Sequence, residues 1–241
     1  MNNCEPTVTL LLPVLNEIEG LKATVPKIDR NLFVQILMMD GGSTDGSQVY
    51  AREQGIEVNR QKRPGLLFAI LDAYPHIKGD YVITLSPDGN TLPDLLPQMV
   101  SKIKEGAELV IASRYLPPAR SYDDTLTTAF GNFLFTKLIN RLGKQKITDA
   151  LNIYRGYKKN LLIHPQLKRF LLGPVLEPAI SAFSILNGLK TAEIPGDEPK
   201  RIGGERKMHI LYNGACILLM IIRMYLYRLA LFLKTGLMRT Q

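Results

Sequence analysis

Short apolar runs and longer amphipathic stretches alternate along the first half of the chain. Five apolar runs are too short for helices and predict buried strands at residues 8–12, 34–39, 56–58, 81–85 and 109–112. The stretches between them predict four helices. The first ends near residue 30, and the others cover residues 45–54, 66–74 and 93–104. Apolar strands separated by helices indicate an α/β fold with a mostly parallel central sheet and helices on both faces.

The alternation stops after residue 115. Residues 116–124 carry two prolines and three charges, which predicts a loop. Two further helices are predicted at 125–142 and 175–187, each followed directly by a glycine that ends it. Residues 194–207 are polar and rich in Gly and Pro, so we expect a loop that binds a ligand or stays mobile.

Residues 215–233 are long and apolar enough for a membrane span, but Arg223 and Arg228 lie inside them. Each arginine would cost roughly 2.5–3.5 kcal/mol at the bilayer centre. The insertion of the apolar side chains would gain about as much free energy as the two arginines cost together. This balance favours a helix at the membrane surface, with the arginines reaching the phosphates and Tyr225 and Tyr227 at headgroup depth. Packing on the body or on a second subunit, and a true span, remain alternatives.

Composition restricts the class of protein. With 241 residues, 46% of them hydrophobic, the chain can build one sizeable core, and disordered or collagen-like classes are excluded. Cys4 and Cys216 lie far apart, which favours a reducing compartment over a disulfide framework. No basic segment followed by an apolar one begins the sequence, so we expect a cytoplasmic protein.

The net charge of +8 is unevenly distributed. Residues 201–241 hold seven basic side chains and one acid, and so account for +6 of it. A basic, leucine-rich tail favours an anionic membrane surface or phosphate groups, and no nucleic-acid motif accompanies it. We therefore expect one domain at 1–208 and a basic apolar helical tail at 209–241 that lies on a membrane or forms a homo-oligomer.

Polar residues follow four of the predicted strands. The segments are Pro-Val-Leu-Asn-Glu at 13–17, Asp-Gly-Gly-Ser-Thr-Asp-Gly-Ser at 40–47, Ser-Pro-Asp-Gly-Asn at 86–90 and Ser-Arg-Tyr at 113–115. In open parallel sheets, ligands bind at the carboxyl ends of the strands. Four such segments on one edge predict a ligand site there.

Three acids in these segments have two readings each. Asp40 ends an apolar strand, so its carboxylate needs donors, either from a nucleobase or from the amides of Gly42 and Ser43 in a turn. Asp45 is expected to cap the helix after it rather than to touch a ligand. Glu17 could hold a ribose hydroxyl or could favour the positive end of the next helix.

Together with their order, these segments resemble glycosyltransferase family 2, over about residues 6–210. The resemblance is closest to the branch of dolichyl- or polyprenyl-phosphate mannose and glucose synthases. It implies a Rossmann-like GT-A fold, a nucleotide-diphospho-sugar donor, Mg²⁺ or Mn²⁺, and inversion at the anomeric carbon. It also implies transfer to a polyprenyl phosphate or lipid-linked acceptor at the cytoplasmic face of a membrane.

The resemblance also implies roles for individual residues. The donor would be bound by Pro13, Leu15, Glu17, Asp40, Gly42, Gly65 and Asp88. A metal would be held by Asp88 and Asn90. The catalytic set would be Asp149, Arg114, Arg201 and Lys207. In that set the three cations face phosphate, and Asp149 is either a general base for a hydroxyl acceptor or a turn acid.

The sequence departs from the family pattern at two places. Ser86 stands where the family usually has the first Asp of Asp-x-Asp, which implies a weak metal site or charge neutralisation largely by arginine and lysine. Asp124 and Thr125 stand where an arginine is expected, and Arg120 is a substitute. A soluble hydroxyl acceptor, or a catalytically weak protein that binds sugar nucleotides, are therefore the rival hypotheses.

Other candidate residues are interpreted as structural. Asp123 and Asp124 are expected to be solvated loop charges, and Tyr115 and Phe130 to be core or wall residues. The three histidines, His76, His164 and His209, lack the spacing of a zinc site and are expected to be structural or on the surface.

Overall fold

A computed structural model describes residues 5–202 and 209–237 of the chain, with side chains described up to residue 233. The strands are β1 (Val8–Val14), β2 (Gln35–Asp40), β3 (Glu57–Arg60), β4 (Tyr81–Thr84), β5 (Leu109–Ser113), β6 (Arg155–Lys158) and β7 (Thr191–Pro195). The helices are α1 (Ile18–Thr24), α2 (Ser47–Glu53), α3 (Leu66–Ala73), α4 (Leu96–Lys104), α5 (Leu126–Ile139), α6 (Pro165–Lys168), α7 (Leu176–Asn187) and α8 (Ile210–Leu237). The predicted strands and helices are confirmed, with shifts of a few residues at their ends.

The seven strands form one sheet in the order β3-β2-β1-β4-β6-β5-β7. All neighbouring pairs are parallel except those of β6, which runs antiparallel between β4 and β5. The mostly parallel sheet is as expected, but β6 and β7 were not predicted. Both are short and carry polar residues, so they lack the apolar run that marked the other strands.

The sheet is covered on both faces, as predicted. Leu11 of β1 and Ile111 of β5 belong to a core built with α3, α5, α7 and α8, whereas Leu10 and Val110 point to a second core built with α1, α2 and α4. Successive side chains of a strand point to opposite faces, so a strand buried on both faces must be apolar at every position.

The two glycines after the helices act differently. Gly188 adopts the left-handed conformation expected of a helix end, with φ +67°. Gly143 is extended and follows a 3₁₀ turn, Asn140–Leu142, that continues α5. A Cβ on Gly143 would overlap the carbonyl oxygen of Ile185 in α7, so the glycine permits close helix packing.

Helix α8 packs on the body through one face. Ile217, Met220, Ile221 and Met224 recur at helical spacing and are buried in the same core as α5 and α7. By length and composition the helix could cross a membrane, but only 22% of the apolar stretch is buried in the protein. Packing on the body, one of the alternatives from sequence, therefore accounts for the inner face and leaves an apolar outer face.

Candidate functional site

The loops after β1 and β2 are tied together at one edge of the sheet. Val14 pairs with Asp40, so the two strands end side by side. The Asn16 amide donates to Ser43 Oγ at 2.9 Å, and the Thr44 amide donates to Asn16 Oδ1 at 2.8 Å. Asn16 is in the left-handed region at φ +56°, which asparagine tolerates better than most residues. This positioning role of Asn16 was not predicted.

Asp45 joins the first turns of two helices. Its carboxylate accepts from the amide of Ser47 at the start of α2 and from the amide of Ile18 at the start of α1, both at 3.0 Å. Burial opposes ionisation, but these hydrogen bonds outweigh it and hold the pKa of Asp45 below its usual value. The predicted role of Asp45 at the start of α2 is confirmed, and Asp45 also accepts a hydrogen bond at the start of α1.

Asp40 is fully buried beneath this edge. Its carboxylate accepts from the amides of Gly42 at 2.8 Å and Ser43 at 3.1 Å, which is the turn role weighed from sequence. Gly42 has φ +99°, a conformation that favours glycine. The Gln61 amide donates to the carbonyl of Asp40, so the segment leading from β3 toward Gly65 is anchored here too.

The remaining residues expected to bind a donor lie around Asp40. Pro13 is half-buried opposite Met39, and Leu15 is exposed above Gly41. Glu17 is buried, and its amide donates to Ser47 Oγ at 3.2 Å. Gly65 precedes α3 with φ +105°. Their contacts with a nucleotide stay predictions.

The segment 86–90 follows β4, the strand beside β1. The side chain of Asp88 is 4% exposed, and its Oδ1 accepts from the Asn90 amide at 3.2 Å. Burial raises the pKa of Asp88 above its usual value, although the nearby Arg201 opposes the rise. Helix α1 supports this segment closely, because a Cβ on Gly20 would overlap the carbonyl oxygen of Pro87.

Arg201 is bound to the 86–90 segment. Its Nη2 lies 3.0 Å from Asp88 Oδ2, and the amide of Ile202 donates to the carbonyl of Asp88 at 2.9 Å. The side chain of Ile202 covers Gly89 so closely that a Cβ there would overlap it. Lys207, the other cation expected in this region, lies outside the described residues.

The oxygen atoms around Asp88 are of the type that hard cations prefer, but too few of them are anionic to bind such a cation alone. Within residues 5–202 and 209–237, no three His, Cys, Asp or Glu side chains form a group that could hold a metal ion. Asp88 is a single carboxylate already paired with Arg201, and Ser86 and Asn90 are neutral. Hard divalent cations need several anionic oxygens, so a bound ligand would have to supply some of them.

Arg114 is enclosed by carboxylates. Its Nε and Nη2 bind the two oxygens of Asp149 at 2.7 and 3.0 Å, while Nη1 lies 3.4 Å from Glu198 and 3.7 Å from Asp124. Burial alone would lower the pKa of Arg114, but Asp149 raises it well above its usual value. Contrary to expectation, Arg114 faces three acids rather than an open phosphate site.

Asp149 is fully buried in this cluster. Its carboxylate also accepts from the amides of Leu151 and Asn152, as the turn alternative required. Burial opposes ionisation, but Arg114 outweighs it and the pKa of Asp149 lies below its usual value. These contacts favour the turn role over a general base, because a carboxylate with both oxygens occupied by donors is poorly placed to accept a substrate proton.

Two other carboxylates of the cluster were missed or misread. The side chain of Asp124 is 7% exposed and accepts from the hydroxyl of Tyr115, so the expectation of a solvated charge was wrong. Glu198 accepts from Ser121, and burial raises its pKa while Arg114 opposes the rise. Only the unpredicted strand β7 brings Glu198 here. Tyr115 is a half-buried wall residue, as expected.

The segment after β7 connects the two groups of residues. Glu198 contacts Arg114, and Arg201, three residues later, contacts Asp88. Three residues of chain span at most about 11 Å, so the Asp88 group and the Arg114 group lie close together at the same edge of the sheet. The structure thus unites Glu17, Asp40 and Asp88 on one side with the carboxylate cluster on the other.

The sequence matches the family described as Glycosyl transferase family 2 over residues 9–164. The chain is 27% identical over 218 residues to "Glycosyltransferase AglJ" of Haloferax volcanii, which covers 90% of this chain and 71% of that protein. It is also 27% identical to "Dolichol-phosphate mannosyltransferase" of Pyrococcus furiosus, covering 62% of this chain and only 45% of the length of that relative.

Among solved structures, the chain is similar to glucosyl-3-phosphoglycerate synthase from Mycobacterium tuberculosis, in a crystal with Mn²⁺, uridine diphosphate and phosphoglyceric acid. The TM-score is 0.64 at 22% identity, covering 94% of this chain and 79% of the other. At this identity the likeness establishes the fold, which is the GT-A fold expected from the resemblance.

Proposed function

Because the chain belongs to glycosyl transferase family 2, we propose that it moves a sugar, with inversion, from a nucleotide-diphospho-sugar to a polyprenyl phosphate or lipid-linked acceptor. The proposal includes a position at the cytoplasmic face of a membrane. The observation that carries it is the shared edge at which Asp40 ends β2 and Asp88 follows β4, the two parallel neighbours of β1, with Arg201 beside Asp88. The named acceptor of the Pyrococcus relative, dolichol phosphate, supports a lipid acceptor.

The donor diphosphate needs positive charge at this edge. Arg201 supplies one cation, and Arg60 at the end of β3 supplies another, since its Nη2 would lie 3.6 Å from a Cβ on Gly42. When the sugar leaves through an oxocarbenium-like state, these cations stabilise the charge that develops on the leaving diphosphate. A divalent cation shared by Asp88, Asn90 and the diphosphate would add charge neutralisation of the same kind.

An acceptor phosphate is already ionised at neutral pH, so it needs positioning rather than a base. Arg114 is committed to Asp149, and we assign this role to the exposed Arg120 in the same loop. The amide of Arg120 donates to Asp197 at 2.7 Å, which anchors the loop beside the Arg114 cluster.

A hydroxyl acceptor is the second candidate, and the cluster around Arg114 favours it. A hydroxyl needs a general base, and Glu198 suits that task better than Asp149, because burial raises its pKa and its contacts with Arg114 are longer, at 3.4 Å, although Ser121 also donates to it. The solved relative was crystallised with a soluble acid, phosphoglyceric acid.

A thermal-shift screen of nucleoside diphosphates and their sugars, with and without Mn²⁺, tests donor binding, because ligands that bind the folded state raise the midpoint. Labelled sugar from the best donor is then offered to polyprenyl phosphate, to the dephosphorylated prenol and to 3-phosphoglycerate. We expect transfer only to the lipid phosphate, and Asp88→Ala should abolish it. Undiminished metal-dependent activity in Asp88→Ala would contradict the site, and transfer to phosphoglycerate would favour the second candidate.

A further inference from the structure

Residues 196–202, the connecting segment, follow β7 and contact both parts of the candidate site. Glu198 binds the acceptor loop, residues 114–125, which carries Arg120. Arg201 and Ile202 bind the 86–90 segment instead. The two parts of the site are therefore joined by one short stretch of chain.

Glu198 holds the acceptor loop through its backbone and its side chain together. Its amide donates to the carbonyl of Arg120 at 2.9 Å, and its carbonyl accepts from the Tyr122 amide at 2.8 Å. Its carboxylate accepts from the hydroxyl of Ser121 and lies 3.4 Å from Nη1 of Arg114. Because these contacts share one residue, the loop cannot keep its position if Glu198 moves.

The other end of the connecting segment is fixed at Asp88. Arg201 lies 3.0 Å from Asp88 Oδ2, and the Ile202 amide donates to the Asp88 carbonyl at 2.9 Å. Ile202 also lies directly on Gly89, whose φ of +85° favours glycine and where a Cβ would come within 2.4 Å of the isoleucine. A ligand that takes Oδ2 of Asp88 therefore has to displace Arg201 from it.

The stretch between the two ends has little freedom to absorb such a displacement. Pro199 has a fixed φ, and it restricts Glu198 before it to extended conformations. The exposed Lys200 alone separates Pro199 from Arg201. A short, stiff connection transmits a movement from one end to the other, whereas a flexible glycine-rich one would absorb it.

We infer that Glu198 is a positioning residue that couples the acceptor loop to the occupancy of Asp88. When a ligand displaces Arg201, Glu198 is drawn away from Arg114, and the loop that carries Arg120 changes position. The inference rests on the proposed function, which identifies the two sides as donor and acceptor, and it adds a residue that the resemblance did not assign. By linkage the coupling is reciprocal, so release of Glu198 also makes Asp88 easier to reach.

The test measures the accessibility of a tryptophan placed in the acceptor loop. The chain contains no tryptophan, so Tyr122→Trp supplies a single reporter at a side chain that is 56% exposed. Quenching of its emission by acrylamide is measured with and without Arg201→Ala, which releases Asp88 without any ligand. We expect Arg201→Ala to raise the quenching constant, Glu198→Ala to raise it equally, and the two together to raise it no further.

Two matched controls isolate the coupling. Lys200→Ala removes a neighbouring positive charge from the same segment and should leave the reporter unchanged. Phe130→Trp places the same reporter in α5 at a side chain that is 65% exposed, so the expectation of a core or wall residue was wrong there. This second reporter should not respond to Arg201→Ala. An unchanged first reporter in Arg201→Ala, or an equal change in Lys200→Ala, would overturn the inference.

Binding of free Mn²⁺, measured by electron paramagnetic resonance without nucleotide, is a second measurement that needs no reporter. Loss of the Glu198 charge alone would weaken the binding of a cation, whereas the coupling predicts that Glu198→Ala binds Mn²⁺ about threefold more tightly. Unchanged or weaker binding would contradict the inference. If no nucleoside diphosphate binds but the reporter still responds to Arg201→Ala, the proposed function alone fails.

Discussion

At the residue scale, the Arg114–Asp149 pair is a stabilising element of the site rather than part of its chemistry. Two parallel hydrogen bonds join the side chains, and Asp149 has no exposed surface. Removing one partner of such a pair leaves a buried charge that nothing fully compensates. The remaining acids, Asp124 and Glu198, lie farther from the guanidinium and reduce that cost only in part.

We predict that Asp149→Asn lowers the free energy of unfolding by about 3 kcal/mol. Urea denaturation at neutral pH measures the loss, and Asp123→Asn in the nearby loop is the control. If Asp149→Asn leaves stability unchanged but reduces kcat, Asp149 acts in the reaction after all.

The same pair predicts a dependence on pH. The pKa of Asp149 is lowered in the folded state, so its stabilising effect is present above the unfolded value of about 3.9 and is lost as the pH falls through the lower folded value. The difference in stability between wild type and Asp149→Asn should therefore shrink below about pH 4. A constant difference down to the acid transition would refute this assignment.

A metal ion held by Asp88, as proposed, would compete with Arg201 for one carboxylate. Arg201 lies 3.0 Å from Asp88 Oδ2, so a divalent cation bound to that oxygen would displace it. We predict that Arg201→Ala binds free Mn²⁺ about fivefold more tightly, equal to ~1 kcal/mol, by electron paramagnetic resonance without nucleotide. The neighbouring exposed Lys200→Ala should bind as wild type, and an equal increase in both variants would indicate a general charge effect instead.

At the scale of elements, two glycines in the α5 region show how helix propensity and side-chain packing have opposite effects on stability. Gly131 lies within α5, where an added methyl group would have nothing within 4 Å, whereas a methyl on Gly143 would overlap the backbone of α7. Gly131→Ala should raise stability by up to about 1 kcal/mol, because alanine favours helix. Gly143→Ala should lower it by about 1–3 kcal/mol through overpacking. Thermal melts of both variants measure this, and destabilisation by both would mean that α5 needs flexibility at Gly131.

At the scale of the whole molecule, α8 has an inner face that stabilises the fold and an outer face that is left uncovered in the described structure. Met224 is fully buried, whereas Leu226, two residues later in the same helix, is 61% exposed. We predict that Met224→Ala costs about 2–5 kcal/mol of folding stability, while Leu226→Ala stays within about 0.5 kcal/mol of wild type. Leu226→Ala should instead weaken vesicle binding. Equal loss of stability in both variants would mean that both faces pack on protein.

Much of the architecture could be predicted because it depends on local patterns. A strand buried on both faces must be apolar throughout, so β1, β2, β4 and β5 could be recognised from single runs of sequence. Parallel strands deliver their carboxyl ends to one edge, so the pattern of strands was enough to place Asp40 and Asp88 at the same edge of the sheet. The order of the motifs was sufficient to indicate the family.

Only the tertiary structure decided the partners of the charged residues and the two faces of α8. Arg114 meets Asp149 and Glu198 across 35 and 84 positions of sequence, and no local pattern encodes contacts of that range. β6 and β7, which bring those acids together, are too short and too polar to be recognised from their own residues. A helix apolar on all sides is equally compatible with a protein core, a membrane and an interface, so the sequence alone left the environment of α8 open. The structure shows that one face of α8 packs on the body. Only the tertiary structure could show this, because burial depends on neighbouring elements rather than on the helix itself.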